Sequence, residues 1–260
     1  MNLWQGVLLG LVQGLTEFLP VSSSGHLVLV EALTGVHFTD VTVEVSLHVA
    51  TLGSLLVLYG ARLWGIGRGL LRGDGPSMRY AALLVVATIP AGVIGVLFHR
   101  QIEERFHSLT WLGVQFIITG MMLWATRWSR GDRDLPSVAA AIGIGFGQAF
   151  AILPAISRSG ATVAAALWSG LTPTAAAEFS FLMAVPVIAG AALLEGHQAV
   201  LNVAAVGALP WAVSFVLAFV SGLWSIRFLV ALLRRGKFYA FAPYCWGVGV
   251  LTLAYARWVA

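Results

Sequence analysis

Charge is scarce in this 260-residue chain. Only 10% of its residues are Asp, Glu, Lys or Arg, against about 25% in a soluble domain. With 59% hydrophobic residues, that deficit excludes an ordinary water-soluble domain. It points to an integral membrane protein in which 1–260 form one membrane domain. Cysteine is nearly absent too. Cys245 stands alone in an apolar run, so neither an intrachain disulfide nor a thiol-rich metal centre is available, and its expected role is small core filler. The opening MNLWQGVLLG lacks a basic stretch and a small-residue cleavage site, so no cleaved signal peptide is expected. The net charge of +4 is dispersed over short loops between apolar runs. There it sets topology rather than marking a nucleic-acid partner.

Long apolar runs are what the chain has instead. A membrane helix needs about 20 apolar residues, and six runs qualify: 43–61, 80–98, 109–127, 175–195, 204–226 and 239–258. Two further apolar stretches do not fit. Residues 1–35 are interrupted by Pro20 and by Ser22 to Gly25; residues 137–170 are interrupted by Pro154 and by Ser157 to Gly160. Broken backbone at membrane depth survives only where protein or a water-filled cavity covers it. Both stretches are therefore expected to be re-entrant helix–loop–helix hairpins.

Loop charges orient this arrangement. Arg62, Arg68, Arg72 and Arg79 lie between the first two spans. Arg127, Arg130 and Arg133 follow the third, and Arg227, Arg234, Arg235 and Lys237 follow the fifth. The opposite loops hold Arg100 and Arg105, and Arg257 lies at the far end. With six spans and two re-entrant hairpins, all three rich loops share one side. The positive-inside rule makes that side cytoplasmic and both termini periplasmic. Trp64, Trp111, Trp128 and Trp258 fall near span ends, as an aromatic belt requires. Asp40, Glu103, Glu104, Asp132, Asp134 and Glu195 fall in expected loops and read as solvated surface.

The two broken stretches match each other at an offset of about 135 residues, the mark of an internal repeat. Gly10 and Gln13 match Gly145 and Gln148. Ser22, Ser24 and Gly25 match Ser157, Ser159 and Gly160, and Pro20 matches Pro154 with a one-residue slip. Downstream, Glu44-Val45-Ser46 matches Glu178-Phe179-Ser180. Each repeat (1–127 and 137–258) is one hairpin plus three spans. Three is odd, so the second must be inverted. The expected fold is thus all-α, with six transmembrane helices plus two re-entrant hairpins in an inverted-topology repeat whose tips meet near the midplane.

Polar groups concentrate at those tips, where lipid makes them costly and hence candidates for function. Gln13 and Glu17, four apart, share a helical face. Pro20 ends that helix, Ser22 to Gly25 form a turn, and the next helix starts near His26. In the second hairpin, Ser157, Arg158, Ser159 and Gly160 precede the helix ATVAAALW. Two helix N-termini aimed at one place make an anion site, and Arg158 adds a forked donor suited to phosphate. Glu17 is relieved either by Arg158 or by a metal ion, and a helix-locking ion pair is the structural alternative. Glu44 and Glu178 either complement helix starts or stand behind the site. His48, one turn from Glu44, is either a satisfied core histidine or a catalytic one. Serines such as Ser22 and Ser46 can equally bond backbone.

These residues resemble the undecaprenyl-diphosphate phosphatase family of the bacitracin-resistance type. The likeness runs in order through QGLTEFLPVSSSGH, VEVSLHVATLGSLL, PAISRSGAT and AAEFSFLMAVP. The first and third blocks are long and specific. The resemblance implies a bacterial inner-membrane enzyme that hydrolyses a polyprenyl diphosphate, undecaprenyl diphosphate, to the monophosphate and inorganic phosphate at the periplasmic face. It also implies a divalent cation, Mg2+ or Ca2+. Carried over by position, the acidic motif falls on Gln13 and Glu17, which would hold the metal. The serine–histidine motif falls on Ser22, Ser23, Ser24 and His26, and the arginine motif on Ser157, Arg158 and Ser159. Many members have Glu at Gln13, which puts a two-carboxylate site in question, and Gly is usual at Ala155.

The favoured chemistry is in-line displacement at the terminal phosphorus, dominated by positioning and charge neutralisation. Ser23 is the candidate nucleophile with His26 as base and later acid; a water activated by His26 fits equally. Glu17 would bind metal or orient the nucleophile, and Arg158 with Ser22, Ser24, Gly25, Ser157, Ser159 and Gly160 would hold the diphosphate. The rival reading is an inverted-repeat transporter or flippase of a polyprenyl phosphate lipid without hydrolysis. A third, a structural membrane subunit, leaves the Ser–His–Glu–Arg set unexplained. A homodimer is compatible with the sequence.

Overall fold

The computed structural model describes residues 1–35, 41–103 and 108–259, with side chains described except at 41–42, 99–103 and 194–206. Asp40, Glu104 and Arg105 lie outside the described residues, as do the side chains of Arg100, Glu103 and Glu195. Within them the chain forms ten α-helices, two short 3-10 turns and no strand.

Six helices are long and apolar enough to cross a membrane: α3 (Val41–Leu71), α4 (Gly75–Glu103), α5 (Leu109–Ala125), α8 (Pro173–Val206), α9 (Ala208–Arg234) and α10 (Ala242–Val259). The other four form two pairs, α1 (Leu3–Phe18) with α2 (Ser23–Thr34), and α6 (Val138–Phe150) with α7 (Arg158–Trp168). None of the four reaches the length of about 20 residues that a crossing needs.

Local chemistry sets the breaks. Asn2 opens α1 with reciprocal bonds: the Gln5 backbone N–H donates to Asn2 Oδ1 (2.9 Å) and the Asn2 N–H to Gln5 Oε1 (2.7 Å). Pro20 disfavours a helical Leu19, whose ψ of 146° ends α1. Both following helices start one turn before the expected positions. Ser22 Oγ accepts the Gly25 N–H (3.3 Å) and Ser157 Oγ accepts the Gly160 N–H (3.1 Å), so α2 begins at Ser23 and α7 at Arg158. Ser23 and Arg158 are thereby the first residues of their helices.

The expected loop 62–79 is mostly helix. Arg62 and Arg68 lie on α3 and Arg79 on α4, leaving a turn at 72–74. Asp74 closes that turn by accepting from the Ser77 hydroxyl (2.5 Å) and backbone N–H (3.0 Å), which holds its carboxyl below the usual range. Arg227 and Arg234 likewise sit on α9.

Packing is closest between α1 and α9. Gly6, Gly10 and Gly14 form a stripe facing α9, and a Cβ at Gly10 would stand 2.4 Å from the Ser214 carbonyl oxygen. Small residues at this spacing let membrane helices approach backbone to backbone. Equivalent contacts join α4 to α6, where a Cβ at Gly145 would lie 2.4 Å from the Ala87 carbonyl oxygen. α3 packs on α8 and α5 on α10. Phe18 and Phe181 meet edge-to-face at 5.7 Å in the main core. Cys245 is buried beside Pro20, a core filler as expected. Trp64, Trp111, Trp128 and Trp258 are all exposed.

Flanking backbone segments pin the second pair's ends together. The Arg133 N–H donates to the Gly170 carbonyl (3.1 Å) and the Thr172 N–H to the Arg133 carbonyl (2.8 Å). Entry to α6 and exit from α7 therefore lie side by side.

Candidate active site

The two pairs meet at their turns. Ser22 and Ser24 both donate to the Pro154 carbonyl oxygen (2.8 and 2.5 Å), and Ser159 donates to that of Leu19 (3.1 Å). Each turn thus hangs on a carbonyl of the other. Gly25 and Gly160 make the approach sterically feasible: a Cβ would lie 3.2 Å from Ala155 at one and 3.3 Å from Pro20 at the other. From α5, Gln115 Oε1 accepts the Ala155 N–H (2.9 Å) and Thr119 donates to the Ala155 carbonyl (3.0 Å). Ser22, Ser24, Ser157, Ser159, Gly25 and Gly160 were expected to hold substrate. The described contacts commit the serines to caps, carbonyls and each other, and the glycines to close packing.

At this junction sits Glu17, 7% exposed. Its Oε2 accepts from the Ser23 hydroxyl (2.6 Å) and from Gln13 Nε2 (3.1 Å); its Oε1 takes Arg158 Nη2 (2.5 Å). Ser23 and Arg158 are matching positions of the two repeats, each at the head of its helix, and both close on the same carboxylate. The relief expected for Glu17 is therefore formed by Arg158. His48 adds Nε2 at 3.6 Å from Glu17 Oε2. Its Nδ1 lies 2.9 Å from the Glu44 carbonyl oxygen, which can only accept, so Nδ1 carries a proton and Nε2 faces the site.

His26 is elsewhere. Its Nδ1 lies 2.7 Å from the Ser22 carbonyl oxygen and its Nε2 2.8 Å from the Tyr244 hydroxyl, with the ring stacked on Tyr244 and edge-on to Phe116. Both ring nitrogens are taken, so the expected Ser23–His26 pair is not formed. The Ser23 hydroxyl goes to Glu17 instead. His26 fastens the strained Ser22 (φ 69°), the sole non-glycine with positive φ among the described residues, to α10. Tyr244 carries no sequence signal that would have singled it out.

Glu178 is also remote. It accepts from Arg62 Nε (2.8 Å) and the Tyr80 hydroxyl (3.2 Å), and Arg62 lies over the Tyr80 ring. Arg62 stands about 21 Å along α3 from His48 at 1.5 Å per residue, so Glu178 does not back the Glu17 centre. Glu44 does: it lines the same cavity as Glu17.

That cavity holds about 670 Å³. Its polar lining is Glu17, Glu44, His48, Thr88, Gln148 and Arg158. Its walls are small or apolar residues of α4 and α8, among them Ala91, Gly92, Pro186 and Gly190. Among its lining residues, Arg158 Nη1 and both ends of the Gln148 amide are buried with no protein partner, and so is Gln13 Oε1 beside Glu17. Such groups are normally satisfied, so they mark where a ligand or water belongs. For a divalent cation the donors are few. No cluster of three His, Cys, Asp or Glu occurs among the described residues. Glu17 and Gln13 Oε1 are the hard oxygens present. Both Glu17 oxygens already accept from protein donors and Gln13 turns its amide nitrogen to Glu17, so an ion there would need Gln13 to flip and would take its remaining ligands from phosphate and water.

Taken together, fold and site define a multi-span helical membrane protein whose centre is a buried carboxylate gripped by serine and arginine from two helix starts, beside an apolar-walled cavity. The chain belongs to the family described as bacitracin resistance protein BacA, whose model matches residues 6–251. Among its relatives, an undecaprenyl-diphosphatase of Desulfosudis oleivorans is 40% identical, covering 96% of this chain and 97% of that protein. One from Carboxydothermus hydrogenoformans is 40% identical over 97% of both. One from Bacteroides fragilis is 37% identical over 99% of both.

Proposed function

We propose that the chain is an undecaprenyl-diphosphatase: it hydrolyses undecaprenyl diphosphate to undecaprenyl phosphate and inorganic phosphate, recycling the lipid carrier of cell-wall synthesis. The observation that carries this reading is the 2.6 Å bond from the Ser23 hydroxyl to a carboxylate that also holds Arg158, in a chain matched end to end by undecaprenyl-diphosphatases. A lipid carrier without chemistry has no use for a hydroxyl paired with a carboxylate.

Arg158 and the free N–H groups opening α2 and α7 bind the terminal phosphate. Ser23 Oγ attacks its phosphorus in line. Its proton passes to Glu17 Oε2, and the bond to the bridging oxygen breaks, releasing undecaprenyl phosphate. Water then cleaves the phosphoserine: the protonated Glu17 returns its proton to Ser23 Oγ as that P–O bond breaks, the water's proton stays with the phosphate, and inorganic phosphate leaves. His48 Nε2, fixed by the Glu44 carbonyl, is the group that orients this water. His26 serves as a positioning residue for Ser22 and the α2 start. A Mg2+ or Ca2+ ion would be held by Gln13 Oε1 and Glu17 and would supply neutralisation of phosphate charge.

The prenyl chain lies along the apolar walls of α4 and α8, open to the bilayer. The two helix pairs are re-entrant hairpins of an inverted repeat. The Arg133–Thr172 bonds support re-entry for the second. Exchanging α1–α5 with α6–α10 turns the α1–α9 contact into α6–α4 and preserves α3–α8 and α5–α10, which supports the inversion. With the basic residues cytoplasmic, both termini and the site mouth face the periplasm.

The test is phosphate release from undecaprenyl diphosphate by purified protein in detergent, with and without EDTA. Release by wild type is expected, and loss with EDTA that Mg2+ or Ca2+ restores. No release in either condition would overturn the reading. Release indifferent to EDTA would remove the metal alone.

A further inference from the structure

Gln148 is the one buried polar group of the cavity that the proposed chemistry leaves idle. It lies on α6, 4% exposed, and lines the cavity with Glu17 and Arg158. Neither its amide nitrogen nor its amide oxygen has a partner. Its repeat counterpart Gln13 differs, since Gln13 Nε2 donates to Glu17. A fully buried primary amide with both ends unmatched is rare in a folded protein, because each end has given up water for nothing. No described protein group supplies the partner, which leaves a ligand or a water of the cavity to do so.

Two groups define where the attacked phosphate sits, Ser23 and Arg158, both bonded to Glu17. Gln148 belongs to no bond in that cluster yet lines the same cavity, its amide ends buried in the wall. A ligand with two linked phosphates would engage the cluster with one and leave the other to be satisfied farther along the cavity. Gln148 Nε2 is a neutral donor suited to such an oxygen, and its Oε1 can accept from a phosphate hydroxyl or a bound water.

We infer that Gln148 binds the phosphate that stays on the lipid, so that this amide distinguishes a lipid diphosphate from other phosphate esters. The inference rests on the phosphatase reading. A neutral donor also explains why the remaining lipid phosphate can depart: a second arginine there would hold the product.

Gln148→Met keeps the shape and removes both polar ends, and Gln148→Glu keeps the shape and adds a negative charge. Phosphate release from undecaprenyl diphosphate is measured for both, with undecaprenyl phosphate and inorganic phosphate as competing ligands. Loss of one hydrogen bond to a charged acceptor corresponds to about a tenfold change in affinity. For Gln148→Met we expect KM and the inhibition constant of undecaprenyl phosphate to rise by about that factor, with inhibition by inorganic phosphate unchanged. Gln148→Glu should raise both lipid values further through repulsion. Unchanged lipid constants overturn the inference, as does equal weakening of both inhibitors, which marks a general disturbance of the site. Tighter divalent-cation dependence in Gln148→Glu would also overturn it, making the amide a metal ligand. Failure of wild type to release phosphate would sink the function itself, which separates the two outcomes.

Discussion

Glu17→Gln separates the chemistry of the centre from its architecture. The carboxylate accepts three hydrogen bonds, from Gln13, Ser23 and Arg158, and an amide of the same shape can accept at one end only. The new oxygen must face Arg158, since an NH2 there would oppose Nη2. The new NH2 then points at Ser23 and Gln13. Gln13 can adapt by flipping its side chain, because its Oε1 is without a partner. Ser23 can only turn its hydroxyl around and become an acceptor, so its proton has nowhere to go. Removing one partner of a buried ion pair destabilises by about 3–5 kcal/mol. Here the amide oxygen still serves Arg158, so the loss should stay near ~1–3 kcal/mol, the scale of one charged hydrogen bond. Activity should fall much further, by about a hundredfold to ten-thousandfold, as for removal of a general base. The two readouts are phosphate release at saturating lipid and the thermal midpoint in detergent. Activity within threefold of wild type would refute Glu17 as proton acceptor. A chain that no longer folds would show the ion pair to be structural first.

Ser23→Ala should be nearly inactive while still binding undecaprenyl diphosphate; a substantial residual rate would mean that water attacks directly. Arg158→Lys keeps the charge but loses the fork, and phosphate release should drop about a hundredfold or more; a change under threefold would remove Arg158 from the phosphate site. Gly10→Val forces a Cβ against the Ser214 carbonyl at 2.4 Å and should lower stability by about 1–3 kcal/mol or block folding; an unchanged thermal midpoint would contradict the α1–α9 packing. In a Cys245→Ser background, a cysteine at Asp132 should be shielded from an impermeant thiol reagent in intact cells and one at Trp258 should react. The reverse pattern would invert the topology.

Much of the fold was legible because lipid allows few solutions. The six spans follow from apolar run length, and the two breaks from Pro20 and Pro154 with their serines. Boundaries were less so. Ser22 and Ser157 read as turn residues among others, but as caps they pull the helix starts back to Ser23 and Arg158. That shift determines which side chains head the helices and so reach Glu17. The Glu17–Arg158 pairing was foreseeable, since two opposite charges set in apolar, broken segments have few alternatives. Sequence adjacency of His26 to Ser23 says nothing of direction: one helical turn carries its ring to Tyr244 on α10, and the expected Ser23–His26 pair is not formed. His48 carried only the hint of its one-turn spacing from Glu44. Glu178 matched Glu44 by repeat, but the partner at each position, His48 in one and Arg62 in the other, lies on an element that the match does not describe.

The reciprocal bonds between the two turns also impose a schedule on biosynthesis. Glu17 and Arg158 are separated by 141 residues of chain, and at about 5–20 residues per second a ribosome needs on the order of ten seconds to travel from one to the other. Throughout that interval the first turn lacks the carbonyl of Pro154 that takes its serines, and its carboxylate lacks a counter-charge. The amino-terminal half must therefore wait in the membrane in an unfinished state, with Glu17 kept wet or protonated. A chain that terminates before residue 154 would carry every residue of the serine motif and still have no site.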